Sequence, residues 1–180
     1  MKFYLETPRL ILRELQESDV EAIFELDSDP QVHKYLGNKP ITTYKEAADN
    51  IAFVQKQYKE RGIGRLACIE KFSGKFIGWS GLKYNQGKNE ALNGFVNFID
   101  IGYRLIPKYW GKRYASESAL ACLNFGFNKM NYDIIYGAAE TQNIASNKVL
   151  QKIGLYFINE FTYKNMKVNW YELKKTENER

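Results

Sequence analysis

The 180 residues include 44% hydrophobic and 26% charged side chains, with 13 Tyr, 11 Phe and 3 Trp available for an interior. This composition excludes a disordered or fibrous chain, and the length suits one domain rather than two separate cores. No apolar run approaches the roughly 18 residues of a membrane span, and a net charge of +5 is mild for this length. Met1-Lys-Phe-Tyr-Leu-Glu6 meets an acid at once, unlike a secretory leader. Cys68 and Cys122 stand apart in apolar stretches, as core residues of a reducing compartment rather than metal ligands or a disulfide. The expectation is a soluble, cytoplasmic single domain over 1–180, its last residues, 176–180, frayed.

Residues 7–15 alternate as a first strand, and Ser18-Asp19 offers an N-cap to a short helix through Val20, Ile23, Phe24 and Leu26. Asp29-Pro30 interrupts it. From Thr43, the residues Ala47, Ile51, Val54 and Tyr58 recur at helical spacing until Gly62 and Gly64 close that helix. Strand-like runs over 65–70 and 75–83 join at Ser73-Gly74 as a hairpin, and 84–93 is a polar loop. Residues 95–105 form a long β run broken by Gly102.

Pro107 and Gly111 punctuate the chain before a helix over 115–129. Residues 133–139 read as a buried strand. Asn143 is an N-cap for a helix carrying Ala145, Val149 and Ile153, with Gly154 ending it. Strands over 155–163 and 167–174 finish the chain. The fold class is α/β (α+β), a mixed sheet of about seven strands with helices on both faces.

Arg104, Lys108, Lys112 and Arg113 lie within ten residues that contain no acid. A solvated loop is one reading; an anion site for nucleic acid or a phosphorylated small molecule is the other. The strand, basic loop and helix start in succession favour phosphate, because helix-start N–H groups and the helix dipole attract anions.

Several segments together resemble the GNAT superfamily of acetyl-coenzyme-A-dependent N-acetyltransferases: Thr7-Pro-Arg-Leu-Ile-Leu-Arg13, Ser28-Asp-Pro30, Ile101-Gly-Tyr-Arg-Leu105, Trp110-Gly-Lys-Arg-Tyr-Ala115 and Lys152-Ile-Gly-Leu155. The likeness covers nearly the whole chain and is greatest to ribosomal-protein N-terminal and spermidine acetyltransferases. It implies a mostly antiparallel sheet whose fourth and fifth strands splay apart around the coenzyme's pantetheine arm. Arg104, Leu105 and Ile106 would then follow the arm. Trp110, Gly111, Lys112, Arg113, Tyr114, Ala115 and Ser116 would surround the pyrophosphate.

Asn143 matches an Asn that meets the pantetheine amides, a role compatible with plain N-capping. Ser146 would bring a hydroxyl near the thioester sulfur, where Leu150 replaces the usual tyrosine further along the helix. Asp100 or Glu140 would serve as base, directly or through water, and the Leu105 N–H as oxyanion donor. Arg113 stands where the family usually has Gly, free either to tighten onto a phosphate or to strain the loop. The implied co-substrate is acetyl-coenzyme A with no metal. The acceptor is an amine: a protein N-terminus, a polyamine, an aminoglycoside-like drug or a small amine. The protein would act as a monomer or homodimer without membrane. The rival readings are a non-catalytic acyl-coenzyme A sensor and, more remotely, a nucleic-acid-binding module.

Overall fold

Thr7 N–H donates to Leu10 O at 2.9 Å, closing a turn around Pro8, whose fixed φ suits that place. The chain therefore reverses inside the run that alternates over 7–15. β1 (Tyr4–Glu6) and β2 (Leu10–Arg13) pair antiparallel with Leu5 opposite Leu12. The run expected as one strand thus holds the turn and β2, and β1, ahead of residue 7, was not foreseen. The computed structural model describes residues 3–175; the expected frayed tail at 176–180 lies outside them.

Among the described residues the sheet has eight strands, the short β1 joining the seven expected, ordered β1-β2-β3-β4-β5-β6-β8-β7. The others are β3 (Arg65–Glu70), β4 (Phe76–Asn85), β5 (Phe98–Leu105), β6 (Ile134–Glu140), β7 (Tyr156–Tyr163) and β8 (Met166–Lys174). Every pairing is antiparallel except β5 with β6. These are the fourth and fifth strands of the sequence reading. Their parallel register joins Asp100 to Tyr136, and no further pair follows among the described residues. Beyond that point residues 101–105 and 137–140 diverge, and the sheet opens.

Two layers of helix sandwich the sheet. α4 (Tyr114–Asn128) and α5 (Ile144–Lys152) cover one face, where Leu12, Leu82 and Ile101 pack with Leu123 and Leu150. α1 (Val20–Asp27) and α3 (Tyr44–Arg61) cover the other, where Ala67 meets Ile23, Ala47 and Ile51. α2 (Pro30–His33) is a single turn capped by Asp29, whose Oδ1 accepts the Gln31 N–H at 2.8 Å. Thr43 and Glu46 form a capping box on α3, and Gly62 ends it at φ 66°. Cys68 and Cys122 are free thiols buried between sheet and α4, and burial pushes the Cys122 thiol up to about 12.

β5 is shorter than its sequence run. Asn97 at φ 55° ends the preceding loop, and Phe95 stacks on Trp170 at 5.4 Å instead of continuing the strand. Gly102 does not break it: pairing with β4 is continuous from Gly78–Leu105 to Asn85–Phe98. A Cβ at Gly102 would lie 2.7 Å from Arg65 Nη2, so the glycine makes room for a guanidinium laid across the strand.

Candidate functional site

The opening between β5 and β6 organises the site because alternate residues of β5 serve opposite faces. Asp100, Gly102 and Arg104 look toward α1 and α3; Ile101, Tyr103 and Leu105 look toward α4 and α5. Backbone direction alternates too. Ile106 N–H donates to Ile77 O at 3.0 Å, so the hydrogen-bonded positions facing β4 are even-numbered. The N–H groups of Tyr103 and Leu105 therefore turn to the open side, where β6 has parted. The Leu105 N–H, expected from the sequence as an oxyanion donor, faces that open side because β6 diverges from an otherwise regular strand. Leu105 O is closed off by Trp110 Nε1 at 2.7 Å, which pins the following loop to the strand end.

That loop has an unusual donor row. After the turn Pro107–Tyr109, Gly111 has φ 73° and Arg113 φ 67°. The first bond into α4 is Glu117 N–H to Arg113 O at 3.1 Å. No backbone N–H from 111–116 donates to a protein acceptor among the described residues, and Arg113 as N-cap offers no side-chain oxygen. The loop is held from behind. Arg9 Nη1 donates to Lys112 O at 3.1 Å, while Arg9 Nε and Thr7 Oγ1 donate to Glu117 at 2.7 and 2.6 Å. This brace escaped residue-level reading, because its partners lie more than a hundred residues apart.

The basic run is less basic than its sequence. Arg104 Nη1 donates to Asp27 Oδ1 at 2.6 Å and Lys108 Nζ to Glu25 Oε1 at 2.8 Å, both acids of α1. Lys112 and Arg113 make no ion pair among the described residues, so they carry the loop's net charge. Tyr114 turns its ring inward, under the Arg9 guanidinium at 4.4 Å, and donates its hydroxyl to Glu70. Its phenol points away from the splay. Ala115 packs on the core, and Ser116 presents the last open N–H.

Across the opening, Asn143 caps α5: its Oδ1 accepts the Ser146 N–H at 3.1 Å. Buried Asn147 donates to Glu140 O at 2.9 Å and Asn143 O at 2.8 Å, and its Oδ1 accepts from Asn169 and Tyr171. β6, α5 and β8 are thereby stitched at one point. Ser146 Oγ lies 3.0 Å from Tyr103 Oη of β5. Leu150 is 1% exposed and meets Gly137 of β6, a core contact rather than a polar one.

The two carboxylates differ. Asp100 is gripped by Arg65, whose Nη2 donates to Oδ1 and Oδ2 at 2.9 and 3.0 Å. Glu140, at the end of β6, keeps a buried Oε2 with no hydrogen-bond partner among the described residues. Ile135 and Ala139 enter the α4/α5 core, so alternation sends Glu140 to the opposite face, alongside Tyr136. His33 is buried near Arg104 and Asp27, and burial lowers its pKa.

A family model described as an acetyltransferase (GNAT) domain matches residues 9–156. The chain belongs to the GNAT acetyltransferase family. Among relatives of this GNAT chain, the uncharacterized N-acetyltransferase YnaD of Bacillus subtilis is 32% identical over 152 residues, 84% of this chain and 82% of that protein. An acetyltransferase (GNAT family) structure from Bacillus anthracis superposes with TM-score 0.79 at 25% identity, covering 97% of this chain and all of the other. The ribosomal-protein-S5-alanine acetyltransferase of Vibrio fischeri shares the fold, with TM-score 0.76 at 17% identity over 96% and 97% of the two chains. The α/β sheet with its parallel β5–β6 pair is the GNAT architecture that the sequence led one to expect.

Proposed function

We propose that the protein transfers the acetyl group of acetyl-coenzyme A directly to a primary amine held beside the splay. The observation that carries this reading is the row of unpaired N–H groups over 111–116, next to the unpaired edge of β5. A diphosphate satisfies such donors as no protein group does here, and Lys112 and Arg113 supply the charge. Leu105 and Ile106 line the path of the pantetheine arm, which pairs with the open Tyr103 backbone edge as an added strand would. Arg104, committed to Asp27, shapes the opposite face instead of touching the arm. Asn143 supports the arm while capping α5.

The thioester then sits in the gap, reachable by an amine from the α1/α3 face. Attack of the amine nitrogen on the carbonyl carbon places an oxyanion at the Leu105 N–H, and the C–S bond breaks beside Ser146. The nitrogen must be neutral to attack. An α-amine with pKa ~7.7–8.0 is partly neutral near neutrality, whereas a Lys-like amine at ~10.4 is not. Glu140, with an oxygen unclaimed by the protein, is the better base. Asp100 is held on both oxygens by Arg65 and orders the strand face.

The test is thiol release from acetyl-coenzyme A by the purified protein across peptides, polyamines and aminoglycosides. Amine-dependent release with an acetylated product is expected. Coenzyme binding without release on any amine would make the protein a sensor, and no coenzyme binding would sink the reading altogether.

A further inference from the structure

Tyr103 leaves β5 on the α4/α5 face and reaches across the opening to α5. Its Oη lies 2.9 Å from the Ser146 carbonyl oxygen and 3.0 Å from Ser146 Oγ. A phenol and a serine hydroxyl carry one proton each, so two arrangements keep both contacts hydrogen-bonded. In the first, Tyr103 donates to the Ser146 carbonyl and Ser146 Oγ donates to Tyr103; the serine proton is then spent. In the second, the Tyr103 O–H is shared between the Ser146 carbonyl and Ser146 Oγ, and the serine proton is free to point into the gap. The serine side chain makes no other hydrogen bond among the described residues, so Tyr103 decides between them.

We infer that Tyr103 is a positioning residue that turns the Ser146 proton toward the sulfur of the departing coenzyme. The inference rests on the acetyl-transfer reading above. A thiolate developing in the gap favours the second arrangement, because the chain Tyr103 O–H to Ser146 O–H to sulfur aligns two donors, each strengthening the next.

The pair donates hydrogen bonds and gives up no proton. A thiol has pKa about 8.5 and a free tyrosine about 10. Burial raises Tyr103 further, so outright transfer from it to a thiolate runs uphill, and from a serine more steeply. The proton that ends on sulfur is the one the amine sheds: the N–C bond forms, the nitrogen loses a proton to the base or water, the C–S bond breaks, and that proton reaches the thiolate. Tyr103 and Ser146 stabilise the negative sulfur in the interval.

A structural role alone would also satisfy a buried phenol, so the test must separate the two. Tyr103→Phe, Ser146→Ala and the double variant are compared in kcat, coenzyme affinity and melting temperature. Tyr103→Phe should lower kcat about tenfold, the scale of one hydrogen bond to a charged group. Coenzyme affinity should hold within about twofold, a change too small to mark a lost contact. In the Ser146→Ala background the same change should leave kcat where it was. Full kcat in Tyr103→Phe, or an undiminished loss on top of Ser146→Ala, overturns the inference. Should Phe at 103 fail to fold, 3-fluorotyrosine there keeps the shape and donates more strongly; kcat should rise, and an unchanged or lower value overturns it equally. If the unaltered protein binds no coenzyme and releases no thiol, the acetyl-transfer reading fails and this inference with it. Turnover by the unaltered protein with Tyr103→Phe unaffected removes only the inference.

Discussion

Two strand-to-helix junctions flank the splay, and they are built oppositely. At the start of α5, Asn143 Oδ1 takes the Ser146 N–H, and the Asn143, Ile144 and Asn147 N–H groups donate to backbone oxygens, so the helix start is nearly closed. At the start of α4, residues 111–116 leave their N–H groups open, and the cap is a left-handed Arg. A helix start with unpaired donors costs stability unless something else fills it. α4 tolerates this because Arg9 and Glu117 fix its loop from the far side. On the proposed function the open junction takes the anion, and the closed one holds a hydroxyl in place.

The largest effect should come from filling the open junction. At about 100 times its Kd, acetyl-coenzyme A should stabilise the native state by ~2.7 kcal/mol, roughly 5–10 °C for a domain of this size. Arg113→Asp sets a carboxylate at the helix start, competing with the diphosphate and removing a cation. The melting shift should vanish, while the coenzyme-free variant melts no lower than the unaltered protein. A full shift in Arg113→Asp would mean the diphosphate binds elsewhere.

The brace behind the loop should matter next. Burial pushes the Glu117 carboxyl up, but the donors Thr7 and Arg9 outweigh it and hold it below the usual carboxylate range. A folded-state pKa depressed in this way contributes stability above the unfolded value near ~4.3, and that stability is lost as pH falls through the folded value. Glu117→Gln should therefore lower stability by about 1–2 kcal/mol at neutral pH, since Arg9 is half exposed and its bonds are partly screened. Urea midpoints of the two proteins should converge on acidification. A gap that persists in acid would put the effect in packing rather than charge.

What was legible in the sequence follows from how far apart the partners lie. The Asn143 cap joins residues three apart, and Gly111 punctuates the chain by itself; both were readable. Arg104 and Lys108 looked like free cations because their acids, Asp27 and Glu25, sit 77 and 83 residues away. Arg9 reaches Glu117 across 108 residues, and Tyr103 reaches Ser146 across 43. Only the folded sheet brings these together. The reversal at Pro8 is the exception, a local feature taken into the alternating run over 7–15, with the short β1 ahead of it left unread.

Opening the closed junction should have a smaller effect on stability. Asn143→Ala removes the cap of α5 and should cost about 1 kcal/mol, with Asn143→Ser recovering most of it. Because the lost bond ended on Ser146 N–H, kcat should fall more than coenzyme affinity. An unchanged kcat would show that Asn147, which also ties α5 to Glu140 and β8, positions Ser146 without the cap.

The smallest effect concerns Arg113 itself, and its two parts should oppose each other. At φ 67° a side chain with a Cβ is strained by roughly 1–2 kcal/mol. Glycine relieves that strain but adds about 0.5–1 kcal/mol of unfolded-chain entropy. Arg113→Gly should therefore raise the melting temperature of the coenzyme-free protein slightly. The same change removes a charge beside a helix start, worth about 0.3–1 kcal/mol to a bound anion, so coenzyme affinity should fall by roughly two- to fivefold. Raised salt should shrink that loss, because it screens the exposed guanidinium. Measured together, the two shifts separate the roles at this position. A variant that is more stable and binds equally well makes Arg113 a strained substitution with no task, and one that is less stable places its side chain in a contact that anchors the loop.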